Sequence, residues 1–433
     1  MRLKILLVNP WIYDFAAFNF WARPLGLLQV AEYLSPFDAE TALIDCTDSF
    51  RPKDNGSGKF RTEIIEKPAL LREVPRFYKR YGISIEEFLF RVKAAMPFDM
   101  VMMTSMMSYW YPGVQKATEI IRGVAGAVPI ILGGVYPTLY HEHAAETSGA
   151  DFIYRGSIEE GLLFALSTFG FRLKRKGARS PCYRLNLYGE YPYASLVTAT
   201  GCPFHCPYCA SGLLASAHKK RFPGDVIEEI AHLSEAGVRD FAFYDDALLV
   251  DSDSHFKPIL RSLIATGIEA RFHAPNGLHA RFLDQELAAL MKMVDFKTLR
   301  LGLESVDRER QKSTGGKVDT EEISRAVRYL RNAGFTKREM GVYLMYGLPA
   351  QELEEVKEGI GFLKSLEVSI HLSEFSPIRG TRYWDELVGA GIIHDGLDPL
   401  LTNNSVFSFL HSKYDSGDVE KMRLDLKRYN SES

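Results

Sequence analysis

Apolar positions along the chain form two kinds of segment, short unbroken runs and stretches in which they recur at helical spacing. Unbroken runs predict strands covered on both faces, as in parallel sheets. In the first part of the chain such runs occupy residues 4–10, 41–46, 99–106, 129–132 and 151–154. Helices are predicted between them at 25–34, 114–125 and 159–169. This alternation predicts an α/β fold with a doubly wound, flavodoxin-like parallel sheet.

A second, more regular alternation begins after residue 193. Its predicted strands are 195–200, 240–244, 269–274, 298–303, 339–345 and 369–375. Its predicted helices are 225–236, 254–266, 284–294, 320–333 and 352–366. Gly237, Gly267 and Gly334 follow helical segments, as C-terminal caps commonly do. Repeated strand–helix units with right-handed crossovers predict a partial (β/α)6 barrel of the TIM type.

These patterns predict a first domain over 1–169, a linker over 170–193, a partial barrel over 194–390 and a C-terminal extension over 391–433. Residues 51–95 interrupt the first alternation with a loop tip at 54–58 and an added helix at 85–95. The linker begins with a basic, glycine-containing stretch, 170–180. Its cations could contact a nucleic acid, but such charges in a connector are more often a solvated face.

The bulk composition is that of an ordinary globular protein, with 46% hydrophobic and 25% charged residues. A net charge of −3 gives no reason to expect a nucleic-acid partner. No apolar run reaches transmembrane length, and the N-terminal run at 3–8 is too short for a signal peptide. The five cysteines do not resemble a disulfide framework, so a cytoplasmic location is expected. Cys46 and Cys182 stand alone and are expected to be inert packing thiols.

Three cysteines lie within eight positions, Cys202, Cys206 and Cys209, in the spacing C-x3-C-x2-C. Gly201 permits a sharp turn between the preceding extended run and this loop. Thiolates so close together repel one another unless a metal ion or an iron–sulfur cluster binds them. Three thiolates are one short of the four that usually hold a cubane cluster. A missing ligand suits a site that keeps one metal position open for a substrate.

The alternatives to an open iron–sulfur site are a disulfide and a structural zinc site with His205 as its fourth ligand. Structural zinc usually pairs one short cysteine hook with a second, distant one, and this sequence has no second hook. His205 lies between two of the cysteines, which is a poor position for completing a tetrahedron. The spacing therefore favours iron and sulfur. An electron carrier or a zinc-stabilised binding module stays open as the non-enzymatic alternative.

Polar residues and glycines gather where the predicted strands end, which is where ligands bind in both kinds of fold. In the second part these are Asp245-Asp246, Asn276-Gly277, Glu304-Ser305, the stretch 346–349 and Ser376-Pro377. In the first part they are Asn9, Pro10, Thr104, Ser105, Gly133 and Gly134. Any one of them can be an ordinary loop residue or cap. His218, His273 and His279 are acid–base candidates, although each is more often an ordinary surface or core histidine.

The cysteine loop and the strand ends resemble the radical S-adenosylmethionine (SAM) superfamily, in the class with an N-terminal cobalamin-binding-type domain. The resemblance implies that Cys202, Cys206 and Cys209 hold a [4Fe-4S] cluster whose fourth iron chelates SAM. Tyr208 stands at the usual aromatic position before the last cysteine. The motifs 302–305, 341–349 and 376–381 are similar to family elements around SAM. Contacts with SAM are expected from Tyr208, Asp245, Asp246, Asn276, Glu304, Ser305, Tyr346 and Pro377.

In the first domain, the stretches 24–27, 133–138 and 156–160 resemble cobalamin-binding-type domains. The family motif D-x-H-x-x-G, whose histidine ligates cobalt, is absent, since no histidine precedes His141. Related enzymes without it still bind cobalamin, and the alternative is a domain that serves only as a scaffold. Cobalamin contacts are expected from Asn9, Thr104, Ser105, Gly133 and Gly134.

The resemblance also implies a reaction. An electron donor such as flavodoxin or ferredoxin reduces the cluster, which cleaves SAM into methionine and a 5′-deoxyadenosyl radical. Methylcobalamin could then transfer a methyl group to the substrate, whereas other relatives carry out rearrangements or ring contractions. The substrate, a small molecule or a peptide, is not identified by the sequence.

Overall fold

The computed structural model describes residues 2–48, 50–51, 58–178, 185–189 and 191–432. The chain forms two compact units. The first contains the residues up to Tyr191 together with the short segment Leu397–Asn403, and the second contains Pro192–Gly396 and the remaining C-terminal residues. Leu397–Asn403 lies in the predicted C-terminal extension, but it packs as part of the first unit.

The elements of the first unit follow the predicted alternation closely. The strands are β1 (Leu3–Asn9), β2 (Ile12–Asp14), β3 (Ala39–Asp45), β4 (Phe50–Arg51), β5 (Lys59–Phe60), β6 (Thr62–Ile64), β7 (Lys79–Tyr81), β8 (Met100–Ser105), β9 (Ile130–Gly134) and β10 (Phe152–Ile153). The α-helices are α1 (Leu25–Leu34), α2 (Ile85–Ala95), α3 (Tyr111–Ala125), α4 (Val135–Leu139), α5 (His141–Thr147) and α6 (Ile158–Thr168).

The main sheet of the first unit is parallel throughout and has the order β3-β1-β8-β9-β10 among the described residues. Numbered along the chain, this is the 2-1-3-4-5 order of flavodoxin-like folds, and it confirms the predicted fold class. The order reverses between β1 and β8, so ligands are expected beyond the carboxyl ends of these strands. One face of the sheet is buried against α1 and α6, with the shared core Ile5, Leu7, Leu27, Ala31, Met102, Ile131, Leu162 and Leu166.

The predicted interruption of this unit is a small antiparallel sheet, β2-β7-β6, followed by α2. Gly82 brings the insert against the end of β3, because its φ is +130° and a Cβ there would lie 2.2 Å from the carbonyl oxygen of Cys46. Most of the predicted loop tip, 54–57, lies outside the described residues. Within the first unit, Leu397–Asn403 is held by hydrogen bonds from Asn403 to Asp14 (2.9 Å) and from Tyr111 to Asp398 (3.2 Å).

The second unit repeats strand and helix more regularly. Its strands are β11 (Tyr193–Leu196), β12 (Ala199–Thr200), β13 (Lys219–Lys220), β14 (Asp240–Phe243), β15 (Arg271–Leu278), β16 (Phe296–Leu303), β17 (Met340–Tyr346) and β18 (Ser369–Glu374). Its α-helices are α7 (Ser211–Leu214), α8 (Pro223–Glu235), α9 (Phe256–Thr266), α10 (Gln285–Met293), α11 (Arg308–Ser313), α12 (Thr320–Asn332), α13 (Leu353–Ser365), α14 (Arg382–Gly389), α15 (Asn404–His411) and α16 (Ser416–Ser431).

The main sheet of the second unit is parallel and runs in sequential order, β11-β14-β15-β16-β17-β18, in the described part of the chain. This is the order of a barrel wall that stops after six strands, as predicted. The helix-facing side of β14, β15 and β16 is aromatic, with the Phe243 ring 5.9 Å from Phe272 and 5.9 Å from Phe296. Asp319 caps the N-terminus of α12 in a capping box that includes Glu322.

One predicted strand is divided. The run 195–200 forms the end of β11 and then β12, which pairs antiparallel with β13 instead of extending the main sheet. The cause is the carboxylate of Asp245, which accepts hydrogen bonds from the backbone N–H groups of Thr198 (3.0 Å) and Ala199 (2.6 Å). These bonds turn the chain out of the sheet just before the cysteine loop.

The inner side of the barrel wall is polar and aromatic. Arg300, Tyr343 and His371 belong to adjacent strands, and a Cβ at Gly341 would lie 2.8 Å from His371 Nε2 and 2.9 Å from Arg300 Cδ. On the outer side, Leu344 packs closely on Gly359 of α13. None of the helices in the described ranges has the length and apolar character of a membrane span.

Candidate functional site

The three clustered cysteines lie on a loop that begins at Gly201. This residue has a φ of +75°, and a Cβ on it would lie 2.5 Å from the carbonyl oxygen of Ala217, so glycine is required for the turn. Cys202 and Cys206 are half-buried, and Cys209 is exposed. The backbone N–H of Cys209 donates to the carbonyl of Cys206 (3.1 Å), which folds the second half of the motif into a tight turn.

Aromatic and backbone contacts fix this loop from two sides. The ring of Phe204 stacks on His279 with 4.9 Å between centroids and lies 6.1 Å from Phe282. The backbone N–H of Tyr383, at the start of α14, donates to the carbonyl of Pro207 (2.9 Å). Burial lowers the pKa of His279 to about 3, so this histidine is neutral and acts as a packing group.

Glu304 and Tyr208, two of the predicted SAM contacts, are joined directly. The hydroxyl of Tyr208 donates to Glu304 Oε1 (2.6 Å), and the ammonium of Lys317 lies 2.6 Å from the same oxygen. The ammonium also lies 5.6 Å from the centre of the Tyr208 ring. The Glu304 side chain is 5% exposed and that of Lys317 is 18% exposed, so this ion pair is shielded from water. Because both donors use Oε1, Oε2 remains for a further donor.

Lys317 is a site residue that the sequence analysis missed. It follows Gly315-Gly316, and this loop packs against the cysteines: a Cβ at Gly315 would lie 3.1 Å from Cys206 Sγ and 3.3 Å from its Cα. Gly315 has a φ of +112°, a conformation that favours glycine. The only local feature that marks Lys317 in the sequence is the glycine pair before it. Nothing in the sequence shows that this loop faces the cysteine loop.

The thiols of Cys202 and Cys206 are protonated at neutral pH in the absence of a bound cation. Burial raises the pKa of Cys202, and it raises that of Cys206 to about 11 even though nearby Lys317 acts to lower it. Metal binding must therefore displace these protons, which a thiolate-binding cation or cluster can do.

The loop geometry does not suit a single metal ion. Within the described residues, no three His, Cys, Asp or Glu side chains converge closely enough to bind one ion. Zinc needs its ligands on a tetrahedron at about 2.0–2.3 Å from one centre. A cubane cluster instead takes each thiolate on a different iron, so its three cysteines need not converge. The donor set thus fits a [4Fe-4S] cluster better than zinc.

The two aspartates at the end of β14 have different surroundings. Asp245 is 4% exposed, and besides its backbone contacts it accepts a hydrogen bond from the Thr198 hydroxyl (2.6 Å). Asp246 is exposed as a residue, but partial burial of its carboxylate raises the pKa, and hydrogen bonds involving Ser211 and Gly201 at the cysteine loop act to lower it. Asn276 donates to the carbonyl of Tyr244 (3.2 Å). Asp246 is therefore better placed for a ligand than Asp245.

Ser305 and Tyr346 direct their side chains away from the cysteine loop. Ser305 is 1% exposed, and its hydroxyl donates to Glu355 on α13. Tyr346 is 2% exposed, and its hydroxyl accepts a hydrogen bond from Arg423 on α16. The backbone of these residues, and not their side chains, is left for the predicted SAM contacts. Pro377, which follows β18, is buried.

In the first unit, one half of the predicted crevice is filled by the protein itself. The side-chain amide of Asn9 donates to Asp45 (2.7 Å), and the Tyr188 hydroxyl donates to the other oxygen of that carboxylate (2.7 Å). The guanidinium of Arg23 covers the Tyr188 ring at 4.0 Å and pairs with Asp48 (2.7 Å). Pro10 is buried. The ends of β1 and β3 are thus closed by hydrogen bonds.

The other half of the crevice, at the ends of β8 and β9, is open. Gly134 is exposed, and a Cβ on it would lie 2.6 Å from Thr104 Oγ1 and 2.8 Å from the carbonyl oxygen of Ser105. Next to Ser105, Met106 and Met107 are each 38% exposed. We call the surface formed by Thr104, Met106, Met107, Gly133 and Gly134 the open edge. It offers backbone and apolar side chains to a flat ligand.

Two of the remaining candidates, His273 and Cys46, are structural in this fold. His273 is buried and lies 3.0 Å from Asp240 and 3.2 Å from Thr298 through its two ring nitrogens. Burial lowers the pKa of half-buried His218. Cys46 is fully buried, and burial raises its pKa, as expected for an inert packing thiol. Cys182 lies outside the described residues.

Comparison with known proteins identifies a domain within the second unit. Residues 196–363 match the sequence model described as the Radical SAM superfamily. The second unit therefore contains a radical SAM domain. The match implies that SAM and a [4Fe-4S] cluster are the cofactors of this domain. An uncharacterized methyltransferase of Pyrococcus horikoshii is 26% identical over 208 residues, which are 47% of this chain and 43% of the relative. The chain thus covers less than half the length of this curated relative.

Two solved structures share the fold of nearly the whole chain. One is the radical SAM methyltransferase TsrM of Kitasatospora setae with cobalamin and a [4Fe-4S] cluster bound, with a TM-score of 0.66, 16% identity, and coverage of 90% of this chain and 78% of TsrM. The other is the cobalamin-dependent radical SAM enzyme OxsB, with a TM-score of 0.67, 13% identity, and coverage of 100% and 71%. At these identities the likeness establishes the fold.

Proposed function

We propose that this protein is a radical SAM enzyme that cleaves SAM reductively and uses a corrinoid bound to the first unit to transfer a methyl group. The observation that carries the proposal is the cysteine loop that follows β12. It holds three thiols within eight positions, inside the domain that matches the superfamily and beside the carboxylates Asp246 and Glu304.

Cys202, Cys206 and Cys209 are the proposed ligands of the [4Fe-4S] cluster. When bound and reduced, the cluster supplies the electron that cleaves the sulfonium C–S bond of SAM. Phe204, stacked on His279, holds the loop in place and excludes water from one side of it. The turn bond between Cys209 and Cys206 sets the spacing of the thiols.

Glu304 and Asp246 are the proposed contacts for the amino group of SAM. A carboxylate that accepts a charge-assisted hydrogen bond from an amine binds it strongly. Glu304 has Oε1 engaged and Oε2 unused by Tyr208 and Lys317. Asp246 is exposed beside the loop, whereas Asp245 keeps the turn before the loop in shape.

The open edge of the first unit is the proposed corrinoid surface. Gly133 and Gly134 allow close approach to the backbone, and Met106 and Met107 offer apolar contact to a macrocycle. No histidine precedes His141 in the sequence, so the proposed binding is without histidine ligation of cobalt. A corrinoid would supply a methyl carrier. The names of the Pyrococcus relative and of TsrM, both methyltransferases, support methyl transfer.

The test is anaerobic reconstitution of the full chain with iron, sulfide and cobalamin, followed by reduction and addition of SAM. We expect bound iron and sulfide in equal amounts, bound corrinoid, and release of 5′-deoxyadenosine or a demethylated product of SAM. Protein that carries a complete cluster but does not cleave SAM, with or without corrinoid, would contradict the proposal and indicate an electron carrier. Bound zinc without sulfide would favour a binding module. A one-electron carrier such as flavodoxin or ferredoxin is the proposed physiological donor.

A further inference from the structure

We propose that Lys317 sets the reduction potential of the cluster, as a fixed positive charge beside Cys206. This inference rests on the proposed function, because it requires a cluster on the cysteine loop. The Gly315–Lys317 loop and the Glu304–Lys317 ion pair place this charge, and neither follows from the cysteine motif.

The loop brings Lys317 to the cysteines through close packing. Gly315 approaches so near that a Cβ would lie 3.1 Å from Cys206 Sγ, and Lys317 follows two residues later. Its ammonium lies 5.6 Å from the centre of the Tyr208 ring, and Tyr208 itself lies between Cys206 and Cys209 in the sequence. The charge is therefore adjacent to the thiol-bearing turn.

The backbone on both sides of Lys317 is held in place by contacts with neighbouring residues. The guanidinium of Arg281 donates to the carbonyl of Gly316 (2.7 Å) and also contacts Glu322 on α12 (3.3 Å). On the C-terminal side, Val318 is 2% exposed and Asp319 caps α12. The side chain is fixed by Glu304 at 2.6 Å. A charge held this way needs little reorganisation when the charge of a nearby cluster changes.

The sign of the effect follows from charge balance. Reduction of a [4Fe-4S] cluster from 2+ to 1+ takes one electron from a one-electron carrier and involves no proton, so the negative charge of the thiolate-bound cluster increases by one. A fixed cation nearby stabilises the reduced form more than the oxidised form. Cluster potentials depend on local charge and solvent exposure. Lys317 should therefore make the potential less negative, while Glu304 should act in the opposite direction.

The test measures the midpoint potential of the reconstituted full chain by a mediated redox titration, followed by electron paramagnetic resonance. Lys317→Met removes the charge and keeps an unbranched side chain, and Lys317→Arg keeps the charge. We expect a more negative potential for K317M and a potential close to wild type for K317R. The control is Lys292→Met, which breaks a comparable ion pair with Glu339 (2.9 Å) just before β17, at the opposite end of the sheet. Its potential should equal that of wild type.

Glu304→Gln provides a second measurement of opposite sign. It leaves Lys317 charged and removes the neighbouring negative charge, so we expect a less negative potential. Opposite shifts in K317M and E304Q would support an electrostatic role, since simple loosening of the site would not reverse sign. Unchanged potentials in both variants with full clusters would overturn the inference and leave the proposed function standing. If K317M takes up no cluster, the midpoint potential of E304Q tests the inference alone. A potential equal to that of wild type would overturn it, and a less negative potential would support it. Wild-type protein that binds no cluster would refute the proposed function itself.

Discussion

Each unit contains a parallel sheet, and a ligand site was predicted at the carboxyl ends of both. In the structure the two sets of strand ends differ in how many polar groups are free to bind a ligand. In the second unit the strand ends carry a loop with partly exposed thiols, the exposed Asp246, and Glu304 with one oxygen engaged. In the first unit the ends of β1 and β3 are closed by Asn9, Asp45 and Tyr188, and only the open edge at β8 and β9 is accessible. A strand end becomes a site only where its polar groups are not already satisfied by the protein.

The same distinction separates neighbouring residues within the second unit. Asp245 satisfies the backbone of Thr198 and Ala199, and Ser305 bonds to Glu355, whereas the residues next to them, Asp246 and Glu304, lie at the cysteine loop. Buried polar side chains of this kind stabilise the fold and leave ligand binding to their neighbours.

The largest effect is expected at the cysteines. Replacement of Cys202, Cys206 or Cys209 by Ala should abolish the cluster absorption near ~400 nm, the charge-transfer region of thiolate-ligated iron. Cys46→Ala is the control, because this thiol is buried in the first unit. It should retain the cluster and lower only the melting temperature. Cluster loss in the Cys46 variant equal to that in the loop variants would contradict the assignment of ligands.

A large effect is also expected at Gly134, on the open edge. Gly134→Ala places a methyl group 2.6 Å from Thr104 Oγ1 and 2.8 Å from the Ser105 carbonyl, which must push the ends of β8 and β9 apart. We expect corrinoid affinity to fall by about tenfold or more, a loss of about 1.4 kcal/mol. Corrinoid titration followed by absorbance, alongside a melting curve, measures this.

Two controls isolate the cause. Gly126→Ala imposes a similar left-handed strain, with φ of +64°, but meets no atom within 4 Å, so it should leave corrinoid affinity unchanged. Asn9→Ala breaks the hydrogen bond to Asp45 on the closed half, and it should lower stability more than corrinoid affinity. An Asn9 variant that loses corrinoid as completely as Gly134→Ala would shift the binding surface back to the ends of β1 and β3.

A moderate effect is expected for Glu304→Gln on SAM binding. Loss of one charge-assisted hydrogen bond costs about 1.5–3 kcal/mol, or roughly ten- to hundredfold in affinity. SAM titration of cluster-replete protein measures it. The matched variant Ser305→Ala removes the bond to Glu355 and should lower the melting temperature with little change in SAM affinity. A SAM affinity of Glu304→Gln equal to wild type would remove Glu304 from the site.

The smallest effect is a pH dependence of stability from the barrel interior. Burial, reinforced by Arg300, lowers the pKa of His371 from 6.5 to about 4, and its buried Nε2 has no hydrogen-bond partner among the described residues. The neutral form is favoured in the folded state, so its stabilising contribution is complete above pH 6.5 and is lost as pH falls toward 4. One proton corresponds to a slope of at most about 1.4 kcal/mol per pH unit. Urea unfolding of His371→Phe should show a shallower acid slope than wild type, whereas exposed His394→Gln should not.

The sequence by itself determined the two parallel sheets, because strands buried on both faces and helices buried on one leave local apolar patterns. The helices Leu25–Leu34 and Ile85–Ala95 were predicted to the residue for this reason. The cysteine motif could also be recognised, because its three cysteines lie within eight consecutive positions.

Tertiary structure alone decided which polar groups are accessible. Asp245 and Asp246 are equivalent in a sequence pattern, but only the fold brings Thr198 to Asp245 from 47 positions away. Tyr208 and Glu304 are 96 positions apart, and Lys317 reaches them because Gly315 packs against Cys206. Such contacts depend on the packing of distant segments, and no local periodicity encodes them. The same holds for Leu397–Asn403. Its place in the first unit depends on hydrogen bonds with Asp14 and Tyr111, which lie 389 and 287 positions before their partners.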